Sequence, residues 1–273
     1  MSTKVQKLIR TLNSYYADHA RTLPWRIPEQ DGSFDAYKIL VSEIMLQQTQ
    51  VPRVIPKYEE FLKTYPTLER LAKASLAEVL RLWSGLGYNR RARYLHQTAQ
   101  MLHQTNNSEI PADLDELQKL PGIGYNTAAA IAVYAHNKSY VFIETNIRTV
   151  YIHHFFKDTV GVKDEQIIPL LEASLEGQNP RDFYWALMDY GTYLKRKVGN
   201  KATQSTVYKK QSQFQGSLRQ LRGQVLRELH KSKLTKKQLM HRLADDRAGL
   251  VINDLVDEGL IYLDRKCYAL GSL

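Results

Sequence analysis

The sequence predicts an all-α protein that ends in a small mixed module, and three observations carry that prediction. Through residues 1–194, apolar side chains recur at helical spacing and no alternating strand pattern is visible. A glycine turn, Leu120-Pro121-Gly122-Ile123-Gly124, joins two of these helical stretches. Beyond residue 216, three more helical patterns lead into two short apolar runs around Asp264-Arg265-Lys266.

Each element has its own signal. Val5, Leu8, Ile9, Leu12, Tyr15 and Tyr16 form one stripe over residues 4–19. A loop containing Leu23-Pro24-Trp25-Arg26-Ile27-Pro28 follows, and Asp35 suits the N-cap of a helix through Met45 and Leu46. Pro52 and Pro56 punctuate the chain, so the next helix is expected from about Pro56, with Tyr58, Phe61 and Leu62 on one side. Short helices are expected at 68–72 and 76–83, then a Gly85-Leu86-Gly87 turn and a helix over 90–103. Helices over 113–119 and 125–136 flank the glycine turn. The apolar run 139–143 is too short for pattern to assign, and helices over 146–156, 165–175 and 181–193 follow. Residues 195–215 are polar, basic and aperiodic, as in a linker or extended arm. Leu218, Leu221, Val225, Leu226 and Leu229 share one helix face, Thr235 caps a second helix, and residues 250–258 form a third, closed by Gly259. The expected organisation is a helical domain over 1–194, a basic linker over 195–216 and a winged-helix-like module over 217–273. Modules of that kind bind DNA or protein.

Composition narrows the function classes. The chain has 273 residues, 43% of them hydrophobic, enough for one large core or two modest ones. No apolar run is long enough to span a membrane, and the first ten residues lack a secretion signal's apolar core, so a cytoplasmic, nucleoid-associated monomer is expected. Cys267 is the single cysteine, which excludes intrachain disulfides and cysteine-held clusters. The net charge is +10, yet residues 195–247 alone hold 15 Lys and Arg against three acids, so the rest of the chain is near −2. Basic charge gathered in one segment is the electrostatic footprint expected of a nucleic-acid binder.

The glycine turn fits that footprint. Gly122 and Gly124 let the chain turn tightly and bring a phosphate close to bare backbone N–H groups. The following helix then presents its positive dipole end to the phosphate. Such a grip carries no sequence information. Two carboxylates suggest what chemistry accompanies it. Glu43 lies in an apolar helix end, where desolvation raises its pKa toward that of a general acid. Glu144 lies at a helix start, where the dipole favours its ionised form. One acid held neutral and one held charged suits N-glycosidic cleavage: the leaving base must be protonated and a cationic sugar stabilised.

The strings SEIMLQQTQV (42–51), WSGLGYNRRARYLH (83–96) and LPGIG, with the acid that follows, resemble the helix-hairpin-helix DNA glycosylase superfamily over roughly residues 5–193. Within it the MutY adenine glycosylases are the most similar, with endonuclease III and thymine mismatch glycosylases as relatives. The resemblance implies a two-lobed fold with the active site in the cleft between the lobes. It implies that Glu43 protonates adenine, and that Glu144 and Asn146 stand at the family's catalytic aspartate and asparagine. Gln48 is then the wedge beside the flipped nucleotide, and Tyr88 the aromatic that stacks near the orphan base. Leu120, Gly122, Ile123, Gly124 and Thr127 grip the backbone, and Arg90 adds a phosphate contact. Trp25, Arg26, Leu46, Tyr125 and Asn126 surround the base pocket. On the helix bearing Arg90 and Arg93, Arg91 points elsewhere.

Departures from the family pattern matter equally. Glu144 replaces aspartate, moving the carboxylate outward by about 1.5 Å. Asn126 occupies the position of the lysine in bifunctional relatives, so Schiff-base chemistry is not expected. The positions of the four cluster cysteines fall on Lys195, Ala202, Ser205 and Gln211, so no iron–sulfur cluster, metal or other cofactor is expected. Residues 217–273 are too few for the family's 8-oxoguanine reader domain. The expected function is monofunctional removal of adenine opposite 8-oxoguanine or guanine in double-stranded DNA. The alternatives are a thymine or uracil mismatch glycosylase, and a catalytically reduced protein that binds damaged or abasic DNA.

Overall fold

A computed structural model describes residues 3–271. In chain order the helices are α1 (Thr3–His19), α2 (Ala36–Leu46), α3 (Val51–Thr64), α4 (Leu68–Ala72), α5 (Leu76–Leu82), α6 (Arg90–Thr105), α7 (Leu114–Gln118), α8 (Tyr125–His136), α9 (Thr145–Phe155), α10 (Asp164–Leu175), α11 (Pro180–Val198) and α12 (Leu218–Lys231). Strand β1 (Leu234–Thr235), helices α13 (Lys236–Leu243) and α14 (Ala248–Asp257), and strands β2 (Ile261–Asp264) and β3 (Cys267–Leu270) complete the chain. Two short 3-10 turns, Pro24–Arg26 and Lys201–Gln204, lie between helices.

Several elements form for the expected local reasons. The Asp35 carboxylate accepts from the Tyr37 and Lys38 N–H groups at 2.8 and 3.3 Å, capping α2. Ser75 and Glu78 close a capping box on α5, as Thr235 and Gln238 do on α13. Helix α3 departs from expectation by starting at Val51 and carrying Pro56 inside it. Pro52 sits in the first turn, where its missing N–H would have no partner anyway, so only Pro56 removes a helical bond. The run 139–143 is not a strand. Phe142 N–H donates to the Tyr184 hydroxyl at 3.2 Å, the Tyr184 hydroxyl donates to the Tyr140 carbonyl at 3.0 Å, and the two rings stack 4.2 Å apart.

The chain divides into two compact units. One comprises residues 1–39, 111–118 and 123–210. Here α9 and α11 pack most closely, flanked by α1, α8 and α10. Gly191 permits that approach, because a Cβ there would stand 2.7 Å from the Asn146 carbonyl oxygen. The expected linker beginning at 195 is part of this unit. Helix α11 runs on to Val198, and the 3-10 turn behind it is pinned to the fold. The Thr149 hydroxyl donates to Asn200 Oδ1 at 3.3 Å, and Gly161 and Val162 N–H donate to the Gln204 carbonyl.

The other unit comprises residues 40–110, 119–122 and 211–273. Helix α6 packs on α4 and α5, and the C-terminal module joins them through β3 against α5. The module holds α12, α13 and α14 against a three-stranded antiparallel sheet of order β1-β3-β2. The hairpin was legible in sequence, whereas β1 was not: two residues contribute a strand only by pairing with Cys267 and Tyr268. The module is fastened to its unit, not tethered beyond it. Arg93 Nη1 donates to the Glu258 carbonyl, and the Glu258 carboxylate pairs with Arg222. Gly271 lies so close to Ala77 that a Cβ would come within 3.0 Å of its nitrogen.

Candidate functional site

Each unit carries its own set of candidate residues. In the unit containing 123–210, Glu144 is the N-cap of α9, in extended backbone, and its side chain does not cap the helix. The arm leading to it is fixed peptide by peptide. The Tyr125 hydroxyl donates to the Val141 carbonyl at 2.9 Å, and Asn126 Nδ2 donates to the Ile143 carbonyl at 3.1 Å. Tyr125 and Asn126 therefore set the carboxylate arm, whatever they contact on a ligand. Asn146 follows two residues later, as the second residue of α9, its Nδ2 set 3.5 Å from Met188 Sδ.

The electrostatics of Glu144 differ from expectation. Burial pushes its carboxyl above the usual range, only partly opposed by Lys195 and then Arg148. Desolvation is the largest effect, so folding raises this carboxyl rather than lowering it as the sequence suggested. Burial likewise lowers the Lys195 ammonium, and Glu144 partly restores it. Sequence reasoning missed this partner because it placed Lys195 in a linker.

Trp25 and Arg26 occupy the 3-10 turn and are both buried. Arg26 Nη1 donates to Asp189 Oδ2 at 2.9 Å, and Arg21 Nε donates to Asp189 Oδ1 at 2.6 Å. The Arg26 guanidinium also lies 5.3 Å from the Trp185 ring centre. Arg26 is thus a strut that neutralises a buried acid on α11, a structural role the sequence did not suggest.

In the unit containing 40–110, α2 is buried along Ile39–Ser42 and again at Ile44 and Met45, with Glu43 half-buried between them. Leu46 is half-buried at the helix end, and exposed Gln48 follows in a turn. Gln48 and Tyr88 both adopt left-handed backbone, with φ of 54° and 48°. Neither is glycine, so both turns carry strain that the surroundings must hold. Arg91 holds them. It is 7% exposed, and its Nη1 donates to the Ile44, Met45 and Gln47 carbonyls at 2.8, 2.8 and 2.7 Å. Its Nη2 donates to Thr49 Oγ1 and the Gly87 carbonyl, both at 3.1 Å. One guanidinium therefore ties the Gln48 turn to the Tyr88 turn and sits at the negative end of α2. Burial lowers its pKa to about 10, still fully charged at neutral pH. Arg90, the expected phosphate contact, is exposed and lies 3.9 Å from Glu258.

The glycine turn meets its expected requirements at Gly122 but not at Gly124, which is extended at φ −87° with open space where a Cβ would stand. Gly122 has φ 74°, and a Cβ there would lie 2.6 Å from the Tyr94 ring. Leu120 and Ile123, expected to contact DNA, are instead buried anchors. The turn exposes Gly122 and Gly124, and α8 begins directly after with Tyr125 and Asn126 exposed and Thr127 half-buried. Four N–H groups of such a helix start lack helical partners.

The residues at the cluster-cysteine positions do not fit a cluster. Lys195 faces Glu144 electrostatically, Ala202 and Ser205 are buried in the pinned turn, and Gln211 Nε2 donates to the Tyr88 hydroxyl. None supplies a thiolate.

Comparison with known proteins places this arrangement in a family. Residues 41–172 match the HhH-GPD superfamily of base excision DNA repair proteins. The chain is 38% identical over 187 residues to an adenine DNA glycosylase of Buchnera aphidicola, a match covering 67% of this chain but 51% of that one. It is 35% identical over 278 residues to the adenine DNA glycosylase of Mycolicibacterium smegmatis, covering 90% of this chain and 92% of the other. Among solved structures, a thermostable thymine-DNA glycosylase superposes with a TM-score of 0.62 over 75% of this chain and 96% of its own, at 23% identity, which speaks to the fold alone. By fold, by motif and by similarity along nearly its whole length, this chain belongs to the HhH-GPD superfamily of DNA glycosylases and resembles its adenine-specific, MutY-like members.

Proposed function

We propose that this chain is a monofunctional DNA glycosylase that hydrolyses the N-glycosidic bond of adenine mispaired with 8-oxoguanine or guanine in double-stranded DNA. The observation that carries the reading is the similarity to an adenine DNA glycosylase across nine tenths of both chains. The site residues give it a mechanism. Glu43, the carboxyl set in the buried stretch of α2, delivers a proton to the departing adenine as the bond to the sugar carbon breaks. Glu144 balances the positive charge that develops on the sugar, and water completes the product, leaving free adenine and an abasic site. The raised Glu144 pKa makes the acid's protonation state sensitive to the charge it faces, so a cationic sugar itself favours ionisation. Asn126 supports the monofunctional assignment, because an amide cannot form the Schiff base that strand cleavage requires. The reaction draws on no metal or cluster, so excision survives chelation.

The test is single-turnover base release by the purified chain on duplexes holding adenine opposite 8-oxoguanine, adenine opposite guanine, thymine opposite guanine and uracil opposite guanine. Alkali added afterwards reveals abasic sites. Adenine release, with strand breaks appearing only after alkali, is the expected result. Release of thymine or uracil alone, or breaks without alkali, overturns it.

A further inference from the structure

The C-terminal module reaches Tyr88. Arg219, in the first turn of α12, places its guanidinium 5.3 Å from the Tyr88 ring centre and 5.5 Å from that of Phe214. Its Nη1 donates to the Tyr88 hydroxyl at 2.5 Å and its Nη2 to the Ser212 carbonyl at 3.2 Å. Gln211 donates to the same hydroxyl. Resting on the glycosylase reading above, we propose that Tyr88, Arg219 and Phe214 form one composite stacking platform. It receives the base left unpaired when the target nucleotide is extruded, so the C-terminal module takes part directly in reading damaged DNA.

Three observations point to a ligand rather than to packing. First, the cluster is poorly placed for stability. Tyr88 holds a left-handed backbone, Phe214 is 56% exposed, and a cation in the first turn of α12 opposes the helix dipole. Second, the module does not need it for docking, because Arg93 with the Glu258 carbonyl and Gly271 against Ala77 already fasten it. Third, among the described residues no carboxylate pairs with Arg219, so no acid neutralises its charge. A flat, weakly hydrated cation stacked among aromatic rings suits the π-face of a nucleobase next to a phosphate backbone. An acidic peptide would not need the rings. Extruding one nucleotide leaves its partner base without a mate, and a stacking surface offsets part of that loss.

The deciding measurement is equilibrium binding of the full chain to a duplex carrying a tetrahydrofuran abasic analogue opposite 2-aminopurine, alongside the undamaged duplex. Both 2-aminopurine fluorescence and affinity are read. Stacking contributes about 1–3 kcal/mol per base, roughly 5- to 150-fold in affinity. Arg219→Ala and Phe214→Ala are each expected to weaken binding to the abasic duplex about tenfold and to alter the 2-aminopurine signal, with the undamaged duplex bound almost as before. Arg219→Lys keeps the charge but not the flat face, and is expected to behave like Arg219→Ala. Phe214→Ala keeps the backbone carbonyl that accepts from Ser217 and touches none of the module's fastenings, so it decides the matter should Arg219→Ala fail to fold. Equal losses on both duplexes, or none, overturn the platform. Because no base is released in this assay, the outcome stands apart from the glycosylase test: a parent that excises adenine while the variants bind normally sinks only the platform.

Discussion

The two units solve opposite problems with opposite chemistry. In the unit bearing Glu43, a buried cation stabilises strained backbone. Arg91 is satisfied by carbonyls and a hydroxyl, and the turns it joins present Gln48 and Tyr88. In the unit bearing Glu144, neutral groups fix the backbone: the Tyr125 hydroxyl, the Asn126 amide and the Tyr184 hydroxyl position the arm without any charge. The same unit contains a fully neutralised acid for contrast. Asp189 is clasped by Arg21 and Arg26, while no cation among the described residues lies within ion-pair distance of Glu144. The difference teaches where charge is structural and where it is held in reserve. Arg91 and Asp189 have their bonds made within the fold, so their charges are committed. Glu144 is positioned by its neighbours' neutral atoms, so its own charge is free to respond to a ligand.

The largest effect is expected from Glu43→Gln, which removes the proposed proton donor and should slow adenine release by about 100- to 10,000-fold with duplex binding unchanged. An active Glu43→Gln protein would remove Glu43 from the mechanism. Arg91→Met comes next. It strips a buried guanidinium from several carbonyls and should destabilise the fold by about 3 kcal/mol, read by denaturant unfolding. A loss under about 1 kcal/mol would mean the two turns hold themselves.

Glu144→Gln sharpens the contrast with Asp189. Folding raises the Glu144 carboxyl above its unfolded value of 4.5, so folding favours the protonated form. The resulting cost is absent below pH 4.5 and grows as pH rises through the folded pKa. Glu144→Gln should therefore raise Tm at pH 8, leave it nearly unchanged at pH 4, and still impair excision. A lower Tm at pH 8 would show that the carboxylate is paired after all. The smallest effect is expected from the basic stretch before the module. Replacing Lys209 and Lys210 with Gln should weaken binding to every duplex alike and reduce the salt slope by about one per lost phosphate contact. A change confined to one mismatch would contradict that role.

Much of the fold was legible because its signals are local. Residues 68–72 and 125–136 were read to the residue as α4 and α8, and Asp35, Thr235 and the 264–267 hairpin were placed by cap and turn chemistry. Gly122 of LPGIG could be assigned from conformation alone, whereas Gly124, at φ −87°, has a backbone any residue adopts. Leu120 and Ile123 could not be assigned: apolar side chains in a turn look the same whether they face DNA or anchor the turn to a core. The stretch 195–205 looked like a linker because its bonds run to distant partners, Thr149, Gly161 and Val162, which leave no periodicity behind. Arg91 was set aside for the same reason, since apart from the nearby Gly87 turn its partners lie more than forty positions away on α2 and the turn beyond it.

Local sequence was enough for most of the helices, the glycine turn and the two acids, since propensity, capping and periodicity act over a few residues. Only the tertiary structure decided what each charge does. It desolvated Glu144 enough to raise its carboxyl, committed Arg91 and Asp189 to the fold, and set Arg219 of the C-terminal module beside Tyr88. Desolvation and long-range contact depend on what folds around a group, and that is written nowhere near it in the chain.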